Sequence, residues 1–98
     1  MDENYKFNGI EFVWNKAKSK SNYQKHGITF EQAAQVFFDP FFRLMDAGDK
    51  GEMRDAVIGI DENWNILYVV HALFMGDKIR LISARKATRF ERQYYEHR

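Results

Sequence analysis

A basic β-strand is predicted by the stretch Lys78-Ile79-Arg80-Leu81-Ile82-Ser83-Ala84-Arg85-Lys86-Ala87-Thr88, in which four bases are interspersed with apolar residues. The strict alternation of a half-buried strand breaks at Leu81-Ile82, where two apolar residues are adjacent. One extra residue at this point, a β-bulge, would move every later side chain to the opposite face of the sheet. The apolar residues would then face the core, and the other face would carry Lys78, Arg80, Ser83 and Arg85.

The residues alone leave two interpretations of this strand open. A face with three cations and one hydroxyl suits a phosphate-bearing partner, because Arg and Lys bind phosphate through charge-assisted hydrogen bonds. Alternatively, the charges only protect an edge strand from aggregation.

The composition indicates one domain, residues 1–98, in a reducing compartment. A chain of 98 residues with 16% aromatic side chains can bury one hydrophobic core without stabilisation by disulfides or a metal ion. Cysteine is absent, which excludes a disulfide framework and fits a cytoplasmic location. The sequence shows no charged-then-apolar leader and no apolar run near the ~20 residues that span a bilayer, so no membrane partner is expected.

The charges are strongly partitioned along the chain. Residues 15–26 carry four lysines and no acid, and residues 78–98 carry seven bases and two acids. The segment 27–77 between them carries nine acids and three bases. If the two basic blocks meet in space, they form a patch able to hold a polyanion. If they do not meet, each is an ordinary solvated face.

The N-terminal half is predicted to contain one strand and two helices. Residues 1–8 are polar and are expected to fray, whereas apolar residues alternate in 10–14 as in a strand. Asn15 is a suitable N-cap for a helix that ends at Gly27. A second helix begins at a capping box on Thr29 and ends before the proline. Its predicted buried stripe consists of Phe30, Ala33, Ala34 and Phe37.

The C-terminal half is predicted to be mostly β-structure. Strand candidates at 41–45, 54–60 and 66–74 precede the basic strand, and turn residues at 46–51 form a loop. The apolar run 66–74 is expected to be the central strand. A final helix begins at residue 87 or 88, with a capping box. This order predicts an α+β fold with a mostly antiparallel sheet of four or five strands, two N-terminal helices and one C-terminal helix.

Two motifs resemble those of the BrnT toxins. The first reads Phe12-x-Trp14-Asn15-x-x-Lys18-x-x-x-Asn22-x-x-Lys25-His26-Gly27-Ile28-x-Phe30-x-x-Ala33-x-x-Val36-Phe37-x-Asp39-Pro40. The second reads Ile79-Arg80-Leu81-Ile82-Ser83-Ala84-Arg85-Lys86-Ala87-Thr88-x-x-Glu91-Arg92-x-x-Tyr95. The resemblance spans residues 10–96. One departure is Asn15, where the family usually has Asp, although either residue caps a helix.

This resemblance implies a RelE-like fold and a toxin of a type II toxin–antitoxin system that cleaves RNA, free or on the ribosome, and blocks translation. It implies a small antitoxin partner with a ribbon-helix-helix DNA-binding part. The complex would contact operator DNA only through the antitoxin and would repress its own operon. No cofactor is implied.

Metal-free RNA cleavage requires a base for the 2′-OH, cations for the phosphorane and an acid for the 5′-oxygen. We predict that Arg80 and Arg85 stabilise the transition-state charge and that His26 is the acid or the base. Lys25 and Arg54 are further candidate phosphate ligands at the catalytic centre. The predicted RNA-binding residues outside it are Lys18, Lys78, Ser83, Lys86 and Arg89.

Several of these residues also have structural explanations. His26 suits the end of a helix, where an imidazolium meets the helix dipole favourably, and His71 is expected to be a hydrogen-bonded core residue. Glu91 is explained by its capping box, although it is also a possible proton-transfer group, as is Tyr95. Three scattered histidines without cysteine have no zinc-type spacing, so no metal site is predicted.

Two other functions are compatible with the same residues. The chain could be a non-catalytic module whose basic face binds nucleic acid or an acidic partner. It could also be a degenerate toxin that serves only as the antitoxin's co-repressor. Exposed aromatic residues such as Trp64 or Tyr94 are candidate antitoxin anchors. Alternatively, Trp64 in its turn folds back onto the core.

Overall fold

The computed structural model describes residues 1–48 and 53–97, which form six strands and three α-helices. In chain order the elements are β1 (Asp2–Phe7), β2 (Ile10–Asn15), α1 (Lys16–His26), α2 (Phe30–Gln35) with a 3₁₀ turn (Val36–Phe38), β3 (Arg43–Asp46), β4 (Asp55–Ile60), β5 (Ile66–Phe74), β6 (Lys78–Lys86) and α3 (Arg89–Glu96). Of the loop predicted at 46–51, residues 49–51 lie outside the described residues.

One mixed sheet has the strand order β1-β2-β6-β5-β4-β3. The β2–β6 pair is parallel and the other four pairs are antiparallel. The α+β prediction is therefore confirmed, but the described residues form six strands rather than four or five. The apolar strand β5 lies inside the sheet between β4 and β6, as predicted for the run 66–74.

The N-terminus differs most from expectation. Residues 1–8 do not fray, since β1 pairs with β2 along its whole length. The connection is Asn8-Gly9, with φ values of 50° and 84°, and Asn-Gly is the preferred pair for a tight hairpin turn with two positive φ angles. Two strands therefore precede α1, where the sequence predicted one. The Asn-Gly pair between alternating aromatic residues was the sequence signal for this hairpin.

The hydrophobic core lies between the sheet and the segment that runs from Ile28 through α2 into the 3₁₀ turn. Phe30, Ala33 and Ala34 are fully buried, as the capping-box helix predicted, and Thr29 Oγ1 accepts the Gln32 amide hydrogen at 3.0 Å. The predicted stripe ends on the 3₁₀ turn, where Phe37 is only half-buried. The sheet residues that join this cluster are Phe12, Trp14, Val57, Leu67, Val69, Leu81 and Ala84.

His71 is buried, and its ring makes a T-shaped contact with the Phe37 ring at a centroid distance of 4.9 Å. Burial lowers the pKa of His71, so its side chain is neutral at physiological pH. Its Nδ1 makes no hydrogen bond to the described residues, so the expected hydrogen bonding is not seen at this atom.

Helix α3 packs on the opposite face of the sheet, near β4. Thr88 and Glu91 form the predicted capping box at its start. Tyr95 is buried and donates a hydrogen bond to Asp39 Oδ2, which ties α3 to the end of the 3₁₀ turn. Among the described helices, none combines the length and the apolar composition needed to cross a membrane.

Candidate nucleic-acid interface

The predicted β-bulge is present in β6. Val70 of β5 pairs with Ser83, whereas the next residue, His71, pairs with Leu81. Ile82 is thus the extra residue, and side chains on either side of it change face. This confirms the bulge at Leu81-Ile82.

The bulge brings the four predicted side chains of β6 to one face. Directly opposed residues in an antiparallel pair share a face, so the pairs Lys78–Phe74, Arg80–Ala72, Ser83–Val70 and Arg85–Tyr68 all lie on the same side of the sheet. We call this surface the basic face, and it consists of Lys78, Arg80, Ser83 and Arg85.

Arg80 is held by one carboxylate and one aromatic ring. Its Nη2 donates to Asp2 Oδ2 at 2.8 Å, and its guanidinium lies 4.2 Å from the centroid of Phe74. The hydrogen bond from Arg80 lowers the pKa of Asp2. Asp2 was not predicted as a partner, because the N-terminal residues were expected to fray.

Arg85 forms a bidentate salt bridge with Glu91. Its Nη1 and Nη2 donate to the two Glu91 oxygens at 2.7 and 2.9 Å, and the guanidinium lies 4.2 Å from the centroid of Tyr68. Glu91 Oε1 also accepts the Thr88 amide hydrogen at 2.8 Å. Burial raises the pKa of Glu91, but the hydrogen bonds from Arg85 and Thr88 outweigh it and hold the pKa below the ordinary value.

The two arginines share a face but do not converge. Their partners on β5, Ala72 and Tyr68, are four positions apart, which corresponds to roughly 14 Å along the strand. Arg80 also lies over Phe74, on the side away from Arg85. In this conformation the two guanidinium groups therefore cannot clamp one phosphate together.

Helix α1 lies beside the part of β6 that β2 does not cover. The β2–β6 pairing ends at Val13–Arg80, and Asn22 of α1 takes over further along. Its side-chain amide donates to Ala84 O at 2.9 Å and to Ile28 O at 3.0 Å, and its Oδ1 accepts from Ala84 N at 3.0 Å. Asn22 was not assigned this role, because a polar residue in a helix with few apolar neighbours does not indicate burial by itself.

The two basic blocks of the chain meet at this junction. A pocket of about 180 Å³ lies between α1 and β6, and we call it the α1–β6 pocket. Four of the predicted site residues therefore lie together. The pocket is lined by Lys18, Ser21, Asn22, Lys25, His26, Ile82 and Ser83.

Lys78 and Arg54 lie outside the α1–β6 pocket. Lys78 belongs to the basic face and pairs with Glu11 at 3.4 Å. Arg54 directly precedes β4, whose first residue, Asp55, pairs with His71. If this pairing continued by one residue, Arg54 would lie opposite Ala72, which pairs with Arg80 on its other side.

Two predicted RNA-binding residues lie neither on the basic face nor in the α1–β6 pocket. Lys86 pairs with Leu67 and so belongs to the opposite side of the sheet. Arg89 begins α3 and lines a separate pocket with Arg92 and Glu96. Among the described residues, no group of three or more His, Asp and Glu side chains could hold a metal ion.

A family comparison identifies the chain. The sequence profile of a family described as the ribonuclease toxin BrnT of type II toxin–antitoxin systems matches residues 14–91. The chain belongs to the BrnT toxin family. Comparison with curated proteins gave no match.

Family membership assigns the chain a coarse function and two kinds of partner. A BrnT toxin is the ribonuclease toxin of a type II pair, so an antitoxin is its partner and RNA is its substrate. The family match contains Arg80, Arg85 and Glu91 but begins after β1. The Arg80–Asp2 contact therefore depends on a strand outside the matched region, whereas the Arg85–Glu91 contact lies within it.

Proposed function

We propose that this toxin is a metal-independent endoribonuclease that cleaves cytoplasmic RNA and thereby inhibits translation. Attack of a 2′-OH on the adjacent phosphorus would form the new P–O bond and break the bond to the 5′-oxygen. The products would be a 2′,3′-cyclic phosphate and a free 5′-OH. The chain's own cations would stabilise the phosphorane, with no cofactor taking part.

The observation that carries this proposal is the position of the α1–β6 pocket. Ser83 lines the pocket and lies on the basic face between Arg80 and Arg85. An RNA strand along β6 would therefore place one phosphate at the pocket and neighbouring phosphates near the two arginines. Because the arginines do not converge, we assign them to different phosphates.

In this arrangement the pocket residues act on the scissile phosphate. Lys25 and Lys18 supply positive charge, and Ser83 donates a hydrogen bond to a phosphate oxygen. His26 carries one of the two proton transfers, as base toward the 2′-OH or as acid toward the 5′-oxygen. Asn22 positions these groups, since it fastens α1 to the backbone of β6.

The test compares RNA cleavage by Lys25→Ala, His26→Ala and the control Arg92→Ala. Loss of a cation or proton-transfer group at the scissile phosphate is expected to lower the cleavage rate by about 10²–10³-fold. Arg92 is exposed on α3, so its variant should cleave at the parental rate. Cleavage by the parent should persist in a metal chelator and leave cyclic phosphate ends. Parental rates in both site variants would refute the site, and loss of cleavage in chelator would refute metal independence.

A non-catalytic binding module is the second candidate, and one observation favours it. Lys78, Arg80 and Arg85 each already contact a carboxylate of the same chain, which lowers the positive charge that they could place on a phosphorane. A protein that binds RNA with a steep salt dependence but never shortens it would support this function. Such a degenerate toxin would act as co-repressor.

We also propose that the antitoxin is a ribbon-helix-helix protein that carries the complex to operator DNA. The proposal is supported by the resemblance of both motifs to the BrnT pattern. Co-expression of the neighbouring open reading frame should suppress toxicity, and its product alone should bind the operator. Operator binding by the toxin without its partner would contradict this assignment.

A further inference from the structure

A second, larger pocket lies apart from the basic face. Its volume is about 430 Å³, within the range of sites that accept large ligands or side chains. It shares no lining residue with the basic face or with the α1–β6 pocket. We call it the aromatic pocket, and it is lined by Phe7, Asn8, Gln35, Phe38, Asp39, Pro40, Phe41, Ile60, Asp61, Glu62, Trp64 and Tyr95.

Three acids and no base belong to this lining. Asp39 accepts hydrogen bonds from the Tyr95 hydroxyl and from the amide nitrogens of Phe41 and Ile60, the last two at 2.9 Å each. These donors are all neutral. They orient the carboxylate but do not cancel its charge.

Asp61 is held in the same way. It accepts from Gln32 Nε2 at 2.7 Å, and from the backbone of Asn63 and Asn65 at 2.8 and 2.9 Å. Burial raises the pKa of Asp61, but these neutral donors outweigh it and hold the pKa below the ordinary value. Asp61 is therefore negative at physiological pH, and exposed Glu62 adds a third charge at the rim.

Trp64 lies at the mouth of the aromatic pocket in an unfavourable backbone conformation. Its side chain is 82% exposed, and its φ of 67° is in the left-handed region, which bulky residues rarely adopt. Gly or Asn would fit this turn position at lower cost. Neither core packing nor turn geometry accounts for a tryptophan here. Phe41, also on the rim, is 61% exposed.

We propose that the aromatic pocket is the docking site of the antitoxin, and that it receives a segment in which a large apolar side chain is flanked by Lys or Arg. The apolar side chain would enter the pocket beside Trp64, since buried aromatic anchors dominate binding energy at interfaces. The flanking cations would meet Asp39, Asp61 and Glu62, whose charge is complementary. This inference uses the antitoxin partner that family membership implies and does not depend on the RNA chemistry.

Because the aromatic pocket shares no residue with the basic face, docking there would leave the RNA site uncovered by this contact. The antitoxin would then need a second segment to block the basic face, or would have to act on the toxin from a distance. Binding and neutralisation are therefore separable measurements.

The test measures binding of the purified cognate antitoxin by calorimetry to full-length variants. Trp64→Gly and Glu62→Lys should each weaken binding at least about tenfold, as expected for an anchor and for a reversed complementary charge. Glycine is unstrained at positive φ, so Trp64→Gly should not lower the midpoint of urea unfolding. Both variants should retain the parental rate of RNA cleavage.

The matched controls carry the same kinds of change outside the aromatic pocket. Phe90→Gly would weaken α3, so Phe90→Ala serves as the exposed-aromatic control, and Glu96→Lys is the charge control. Both should bind the antitoxin like the parent. Parental affinity of Trp64→Gly and Glu62→Lys would overturn the proposal. So would a dimer of the toxin alone that Trp64→Gly dissociates, because the occupant would then be a second copy.

Discussion

Arg80 and Arg85 lie on the same face of β6 and stack on aromatic rings at the same distance, 4.2 Å, but their carboxylate partners differ. Asp2 lies on the edge strand β1, contacts Arg80 through one hydrogen bond, and has a side chain that is 44% exposed. Glu91 lies in the first turn of α3, contacts Arg85 through two hydrogen bonds, and has a side chain that is 11% exposed.

This difference separates an exchangeable cation from a structural one. An exposed ion pair with a single hydrogen bond contributes little to stability, so a phosphate can replace Asp2 on Arg80 easily. Glu91 binds Arg85 and the Thr88 amide together, and its removal would leave partly buried donors without partners. We therefore expect that Arg80 binds RNA directly and that the main role of Arg85 is to stabilise the start of α3.

The greatest expected difference between the two ion pairs is in the free energy of unfolding. Glu91→Ala removes the bidentate salt bridge to Arg85 and the capping hydrogen bond from the Thr88 amide. It should lower the free energy of unfolding by about 2–3 kcal/mol. Asp2→Ala should leave it nearly unchanged. Urea unfolding followed by circular dichroism measures both. Equal losses in the two variants would show that the two pairs do not differ as the contacts indicate.

A smaller effect is expected from pH. The pKa of Glu91 in the folded chain is below its ordinary value of 4.5, so its contribution to stability is complete above that pH and is lost as the pH falls through the folded pKa. Glu91→Gln lacks this titration. The difference in unfolding free energy between the parent and Glu91→Gln should therefore shrink below about pH 4.5. A difference that stays constant down to pH 3 would contradict the charge-based stabilisation.

The smallest effect concerns the exchange of Asp2 for phosphate. Asp2→Asn removes the charge that competes with RNA, and should tighten binding of a non-cleavable 2′-deoxy oligonucleotide about twofold to fivefold at low salt. Glu96→Gln, an exposed acid on α3, is the control and should change little. Fluorescence anisotropy at two salt concentrations measures the effect. Weaker binding by Asp2→Asn would mean that Asp2 orders Arg80 for RNA and does not compete with it.

Local patterns predicted much of the fold around these two arginines. Thr29 and Thr88 begin helices as predicted, and the adjacent apolar pair Leu81-Ile82 located the bulge, because each of these signals acts over a few residues. Only Thr88 has a complete capping box, since the Gln32 side chain donates to Asp61 and does not return to Thr29. The hairpin at Asn8-Gly9 also has a local signal, but the polar composition of residues 1–8 predicts a frayed end. The sequence prediction therefore lacks β1, which is the sixth strand of the sheet.

Local patterns do not predict contacts between residues that are far apart in the sequence. Asp2 and Arg80 are 78 positions apart, and Asn22 and Ala84 are 62 positions apart, so no periodicity relates them. The charge blocks raised the question of whether α1 and β6 meet, but only the packing of α1 beside the uncovered part of β6 could answer it. The aromatic pocket, too, is assembled from segments that are remote in sequence.

Side-chain alternation and hydrophobic burial act locally, so the sequence alone specifies β6 as a bulged strand with a basic face. The contacts of each cation depend on the tertiary structure. The bulge places Arg80 and Arg85 on one face, but β1 brings Asp2 to the first and α3 brings Glu91 to the second. Ion pairing depends on distance through space, and that distance is set by how the whole sheet and its helices pack.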